Sequence, residues 1–187
     1  MISRNEWSSM NREERLTALN EAEHQEASAQ KRKPAEVTSE NMDSHEYGFY
    51  NRGTNTIAIN DDFINKEEPY DALRAYFHES RHAYQHEQAE NPTEVSPEQS
   101  QLWKENFKKE NYIRPSENYE AYKAQPVEAD AHDYATRRMH EYNESQGVSF
   151  SAQVRASNHA NSRGKIAQSV PSTESTSTQS KDHGMSQ

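Results

Sequence analysis

The chain has 187 residues, a formal net charge of −10, 30% hydrophobic and 28% charged residues, and no cysteine. The missing cysteine excludes disulfides, thiolate-bound zinc and thiol catalysis. The acidity argues against nucleic acid as a partner, because a phosphate backbone demands a basic face.

At a mean hydropathy of −1.32 the chain has too little apolar surface to pack throughout, and it fits one domain of ordinary size with unpacked ends. The N-terminus, MISRNEWSSMNREERL, lacks the apolar core of a secretory signal. No run is long enough to span a bilayer. The expectation is a soluble protein with no membrane partner. It would be cytoplasmic, or exported or injected by a route that needs no cleaved signal peptide.

In chain order, Met10 to Gln30 is rich in Glu, Ala, Arg and Gln with Leu16 and Leu19 on one side, which predicts a polar helix with a thin apolar stripe. KRK at 31–33 is too short to make a basic face, and KPAEVTSENMDSH reads as a linker on composition. YGFYNRGTNTIAIND then alternates around a turn, which predicts a β-hairpin with Tyr47–Tyr50 and Asn55–Asn60 as its arms. Pro69 opens a helix with Leu73, Phe77 and Tyr84 at helical spacing. Ser96-Pro97 starts another, carrying Leu102, Trp103 and Phe107. Pro126 leads into a third, with Val127, Ala131, Tyr134 or Ala135, and Met139 in phase.

From Ser145 onward the chain is Ser/Thr/Gln-rich, and Arg155, Arg163, Lys165 and Lys181 outnumber Glu174 and Asp182. The part before it is therefore more acidic than the whole. The expected division is a polar N-terminal helix and linker over 1–44, a folded domain over 45–144, and a disordered tail over 145–187. The fold class is α+β: a small antiparallel sheet or hairpin packed on a helix, with further helices.

The chemistry concentrates in HESRH, residues 78–82. Residues four apart on a helix share a face, so His78 and His82 can aim their imidazoles at one ion. Glu79, beside the first ligand, can reach a metal-bound water as general base. His86 cannot join them: it lies two turns from His78, about 12 Å along the axis. A third ligand has to come from another element. In PVEADAHDYA, Glu128 and His132 share a face at four-residue spacing. Glu128 is the candidate ligand, His132 a residue that hydrogen-bonds a ligand from outside, and Asp130 points elsewhere. Taken alone, these are ordinary charges on a solvated helix; beside HESRH they favour a metal site.

HESRH followed by Glu128-Ala-Asp-Ala-His132-Asp-Tyr-Ala135 resembles the gluzincin metallopeptidases, with HExxH on one helix and a glutamate ligand on a later one. It is similar above all to the ExEANxFA segment of the ImmA/IrrE-type peptidases and to the minigluzincins. The likeness covers about Asn55 to Met139, and His132 stands where those families carry Asp or Asn. It implies a zincin-like fold for 45–144 and a zinc metallopeptidase with one Zn2+ per chain, held by His78, His82 and Glu128. Glu79 would be the base, and a peptide or protein the substrate. Tyr112, Arg114, Tyr119, Tyr122 and Tyr134 are the candidate donors to a transition-state oxyanion. Zincins pair the substrate with an edge strand, which points to Thr56, Ile57, Ala58 and Ile59. Two rival readings are a non-catalytic zincin-like or helical interaction domain, and a delivered toxin or effector protease.

Overall fold

The structure, a computed structural model, describes residues 2–147. The tail expected over 145–187 lies outside the described residues from 148 on. Helix α1 (Arg4–Ser9) opens with a capping box. The Ser3 hydroxyl accepts from the Glu6 amide, and the Glu6 carboxylate accepts from the Ser3 amide. Six residues are too few for a helix to stand alone. What fixes this one is Trp7, fully buried, its indole N–H donating to the Lys66 carbonyl at 3.0 Å. The Arg15 guanidinium lies 5.1 Å from the Trp7 ring centroid and donates to the Ile64 carbonyl at 2.8 Å.

Helix α2 (Arg12–Ala29) has its own capping box from Asn11 and Glu14. It is the polar helix expected from composition, but its inner face buries charge as well as Leu19. Glu23 is fully buried and accepts two bonds from Arg32, at 2.6 and 3.1 Å. The same carboxylate accepts from the Ala35 amide, the Ser80 hydroxyl and the Tyr76 hydroxyl. A buried ion pair survives only when its remaining lone pairs are satisfied in this way.

The segment expected to be a linker contains a strand, β1 (Glu36–Glu40). Only Val37 of its residues is buried, so no alternation announces it. Its pairing comes from elsewhere. It runs parallel to β3 (Thr56–Asn60), with Val37 opposite Ile57, and its outer edge is tied off by Asn20, which bonds both the amide and the carbonyl of Val37. On the far side, β2 (Gly48–Asn51) pairs antiparallel with β3, which is the expected hairpin. The order β1-β3-β2 makes a mixed sheet rather than an antiparallel one. β3 is its centre, with Ile57, Ala58 and Ile59 fully buried.

A short helix, α3 (Asp61–Ile64), leads to α4 (Tyr70–Glu90), which carries HESRH and packs on the sheet. Next come α5 (Pro97–Asn106), capped by the Ser96 hydroxyl, then α6 (Tyr119–Ala124) and α7 (Pro126–Ser145). One core holds Trp7, Leu19, Val37, Ile57, Ile59, Leu73, Tyr76, Phe77 and Met139. Residues from 1–44 and from 45–144 therefore share it. A second apolar cluster, Tyr84, Ala89, Trp103 and Val127, joins α4 to α5 and α7. No described helix is long and apolar enough to cross a membrane.

Candidate metal centre

Helices α4 and α7 lie side by side: Arg81 of α4 donates to Asp130 of α7 and Gln85 to the Val127 carbonyl, and Ala131 and Ala135 are buried on α7. Pro126 at the first helical position and the Gln125 side chain set where α7 begins. Gln125 bonds the Ile113 amide and carbonyl and the Asn106 side chain, and Asn106 Oδ1 accepts from the Val127 amide. This places Glu128 in the first turn of α7, facing the histidines of α4.

There three donors converge. His78 Nε2 lies 3.1 Å from His82 Nε2 and 3.2 Å from Glu128 Oε2; His82 Nε2 lies 3.5 Å from Glu128 Oε1. The Glu128 side chain is 1% exposed, and its Oε2 has no hydrogen-bond partner among the described residues. Three groups with lone pairs directed at one point repel unless a cation stands between them. The histidines supply positive charge when protonated. Burial works against ionising Glu128, yet the two imidazoles hold its carboxyl far below the usual carboxylate range. Burial likewise works against charging His82, but Glu128 and then Glu79 raise it to about 9.

The donor set could hold a metal ion: two imidazoles and a carboxylate whose ligand atoms, one from each residue, all lie within 4.8 Å of one another.

Glu79 is buried beside this point, against β2. Burial raises its pKa, opposed by His78 and His82 and aided by Glu128. β2 lies this close to β3 beside it because residue 48 is glycine. A Cβ there would sit 2.6 Å from the Ala58 carbonyl oxygen and 3.4 Å from Glu79 Cγ. The cleft above is lined by β2, by His86 and Phe107, and by Tyr112 and Tyr122.

Of the five expected donors, two reach the cleft. The Tyr112 hydroxyl donates to Glu128 Oε1 at 2.7 Å, and Tyr122 packs edge-on against Tyr112. Burial and then Glu128 raise both phenols well above their ordinary pKa, so both keep their protons. Tyr134 points away, its hydroxyl bonded to Glu26 and Gln30 of α2. Tyr119 is 58% exposed and stacks on Tyr122; Arg114 is exposed, and neither lines the cleft.

The strand expected to take substrate is the wrong one. Thr56, Ile57, Ala58 and Ile59 belong to β3, both of whose edges are already paired, so no peptide can be added there. The strand that lines the cleft at the margin of the sheet is β2. His132 packs its ring edge-on to His78, with centroids 5.1 Å apart, rather than hydrogen-bonding a ligand. The residue that does so is Gln85, whose Oε1 lies 2.8 Å from His82 Nδ1. It sits three residues beyond His82, and an amide placed there in the sequence was the available signal. His86, set aside as a ligand, stacks on Phe107 at 3.7 Å and forms a cleft wall. Comparisons with protein-family models, with curated proteins and with solved structures find no match to this chain.

Proposed function

We propose that this chain is a zinc-dependent peptidase of the zincin kind. The observation that carries the reading is the convergence of one ligand atom each from His78, His82 and Glu128 within 4.8 Å, with a buried carboxylate oxygen that has no hydrogen-bond partner among the described residues. His78, His82 and Glu128 would hold the ion, which when bound supplies a Lewis acid and an acidified water.

The protein's own groups do the rest. Glu79, buried beside the point where the three groups meet, takes the proton of the attacking water at its carboxylate and passes it to the leaving amine nitrogen. Its raised pKa suits both halves of that transfer. Tyr112 and Tyr122 offer phenolic O–H groups to the oxygen that becomes negative in the tetrahedral intermediate.

β2 is suited to orient an extended peptide. Asn60 N–H donates to the Tyr47 carbonyl, and bonded pairs alternate along an antiparallel ladder, so Gly48 and Tyr50 turn their backbone groups to the open edge. A substrate added at this edge would run past Glu79. The intact base favours an enzyme over a non-catalytic scaffold. The deciding experiment measures zinc content and peptide cleavage of the full chain against Glu79→Gln and Glu128→Gln. A parent protein free of zinc, or an equally active Glu79→Gln variant, would sink the proposal.

A further inference from the structure

We infer that Gln85, backed by Asp130 and Arg81, is a positioning residue that presents the Nε2 lone pair of His82 to the metal site. Its consequence for zinc rests on the peptidase reading above; its structural content, the tautomer of His82, does not.

The argument starts from the Gln85 amide, which is fully buried. Its Nε2 has two N–H groups and two acceptors, the Val127 carbonyl at 2.9 Å and Asp130 Oδ2 at 2.7 Å. Turning the amide over would set Oε1 against a carbonyl and a carboxylate, neither of which can donate. The orientation is therefore fixed by chemistry, and Oε1 has to face His82 Nδ1, 2.8 Å away. An oxygen that can only accept requires a proton on Nδ1. In the neutral ring, Nε2 is then the lone-pair nitrogen, and it is the one that faces His78 and Glu128.

Asp130 is held in turn. Arg81 Nε donates to Oδ2 at 2.7 Å and Nη2 to Oδ1 at 3.1 Å, a bidentate pair. The guanidinium is caged by aromatic faces, with ring centroids of Tyr84 at 4.4 Å, Tyr134 at 4.9 Å and Trp103 at 5.6 Å. Four groups thus form one directed chain: Arg81 donates to Asp130, Gln85 donates to Asp130, and His82 donates to Gln85. The last proton in it is the one that decides which imidazole nitrogen is free. This gives the otherwise unassigned Arg81 of HESRH a task, and it gives Asp130 a role that is not ligation.

The test uses the full chain, labelled with 15N, with zinc alone as the probe. Long-range 1H–15N spectra of the zinc-free protein, taken where the ring is neutral, read the tautomer directly; competition with a chelator reads zinc affinity. In the parent, Nδ1 should carry the proton. Gln85→Met fills the same space without an acceptor. It should move the proton toward Nε2 and weaken zinc binding by about 10–100-fold, the usual loss when a ligand's outer partner goes. An Nε2–H tautomer in the parent overturns the inference. So does Gln85→Met with an unchanged tautomer and a zinc affinity within about twofold of the parent. Should Gln85→Met not fold, Asp130→Ala at a partly exposed position frees Gln85 to turn. A mixed tautomer and weaker zinc binding then support the chain of contacts, and parent behaviour overturns it. If the parent takes up no zinc at all, the metal reading fails, while the zinc-free tautomer still decides this one.

Discussion

Glu79→Gln and Glu128→Gln should have opposite signatures, and the structure fixes their size. Gln at 79 keeps the shape of the buried side chain but has no basic carboxylate. Losing a general base costs about 10²–10⁴-fold in rate, with metal and fold intact. Gln at 128 leaves an amide where a fully buried carboxylate faces two imidazoles. Free zinc at 100 times its dissociation constant stabilises the parent by about 2.7 kcal/mol. At about 2–4 °C per kcal/mol for a chain of this size, its melting point should rise by about 5–11 °C. A hundredfold loss of affinity in Glu128→Gln leaves about 0.4 kcal/mol of that at the same zinc concentration, a rise of about 1–2 °C. Thermal melts with and without zinc, beside peptide cleavage, read both effects. A Glu128→Gln protein with the full zinc shift would place the third ligand elsewhere. A Glu79→Gln protein that loses the shift would make Glu79 a ligand rather than the base.

Glu23→Ala should cost about 3–5 kcal/mol in urea unfolding, because it leaves Arg32 buried without its carboxylate; a loss under about 1 kcal/mol would mean that the pair is not desolvated. Tyr112→Phe should shrink the zinc-induced melting shift, since it removes the bond to Glu128 Oε1, and at saturating zinc should lower the turnover number by about 10²-fold, the effect of one lost oxyanion donor. An unchanged turnover number would leave Tyr122 as the donor. His86 has a folded-state pKa lowered to about 4 by burial and by the positive charge of His82. Above the unfolded value of 6.5 it contributes nothing to the pH dependence. As pH falls from 6.5 toward 4 the unfolded chain takes a proton that the folded one refuses, so stability drops. His86→Leu should flatten urea stability across pH 7 to 5; an equal slope in both proteins would assign it to other groups.

The sequence made the site more legible than the sheet. HESRH and Glu128 could be read because ligation needs particular side chains at helical spacings, and α4 and α7 are long helices whose phase survives in the sequence. The hairpin was readable from alternation and its turn. β1 was not, since Val37 is its one buried residue and its pairing depends on β3 and on Asn20, both distant in the chain. That omission led to the expectation that β3 is an edge strand. With β1 absent, β3 reads as an edge; with it present, β3 is the centre and β2 takes its place. The burial of Trp7 and Glu23 was equally hidden, because a thin apolar stripe says nothing about charges satisfied inside.

HESRH also shows how a polar helix can be both held and exposed at its working side. Ser80 faces the opposite way from the ligands and accepts a 2.7 Å bond from Arg32 while donating to Glu23, so the helix is pinned to α2 from behind. Arg81 pins it sideways to Asp130 of α7. His78 and His82 are left facing Glu128, and Glu79 packs against the edge strand β2. Each of the five positions thus reaches a different neighbour or the shared metal point. A hydrophobic residue at 80 or 81 would fill space but would not fix the rotation of the helix about its axis, whereas directional bonds to two other helices do. Rotation matters here because even a small turn about the axis of α4 would move both imidazoles out of line with Glu128. A chain poor in apolar residues therefore uses directional polar contacts, one of them a buried ion pair, to set the geometry of its candidate ligands, and substitutions at Ser80 should disturb zinc affinity through Arg32 and Glu23 without touching the metal point.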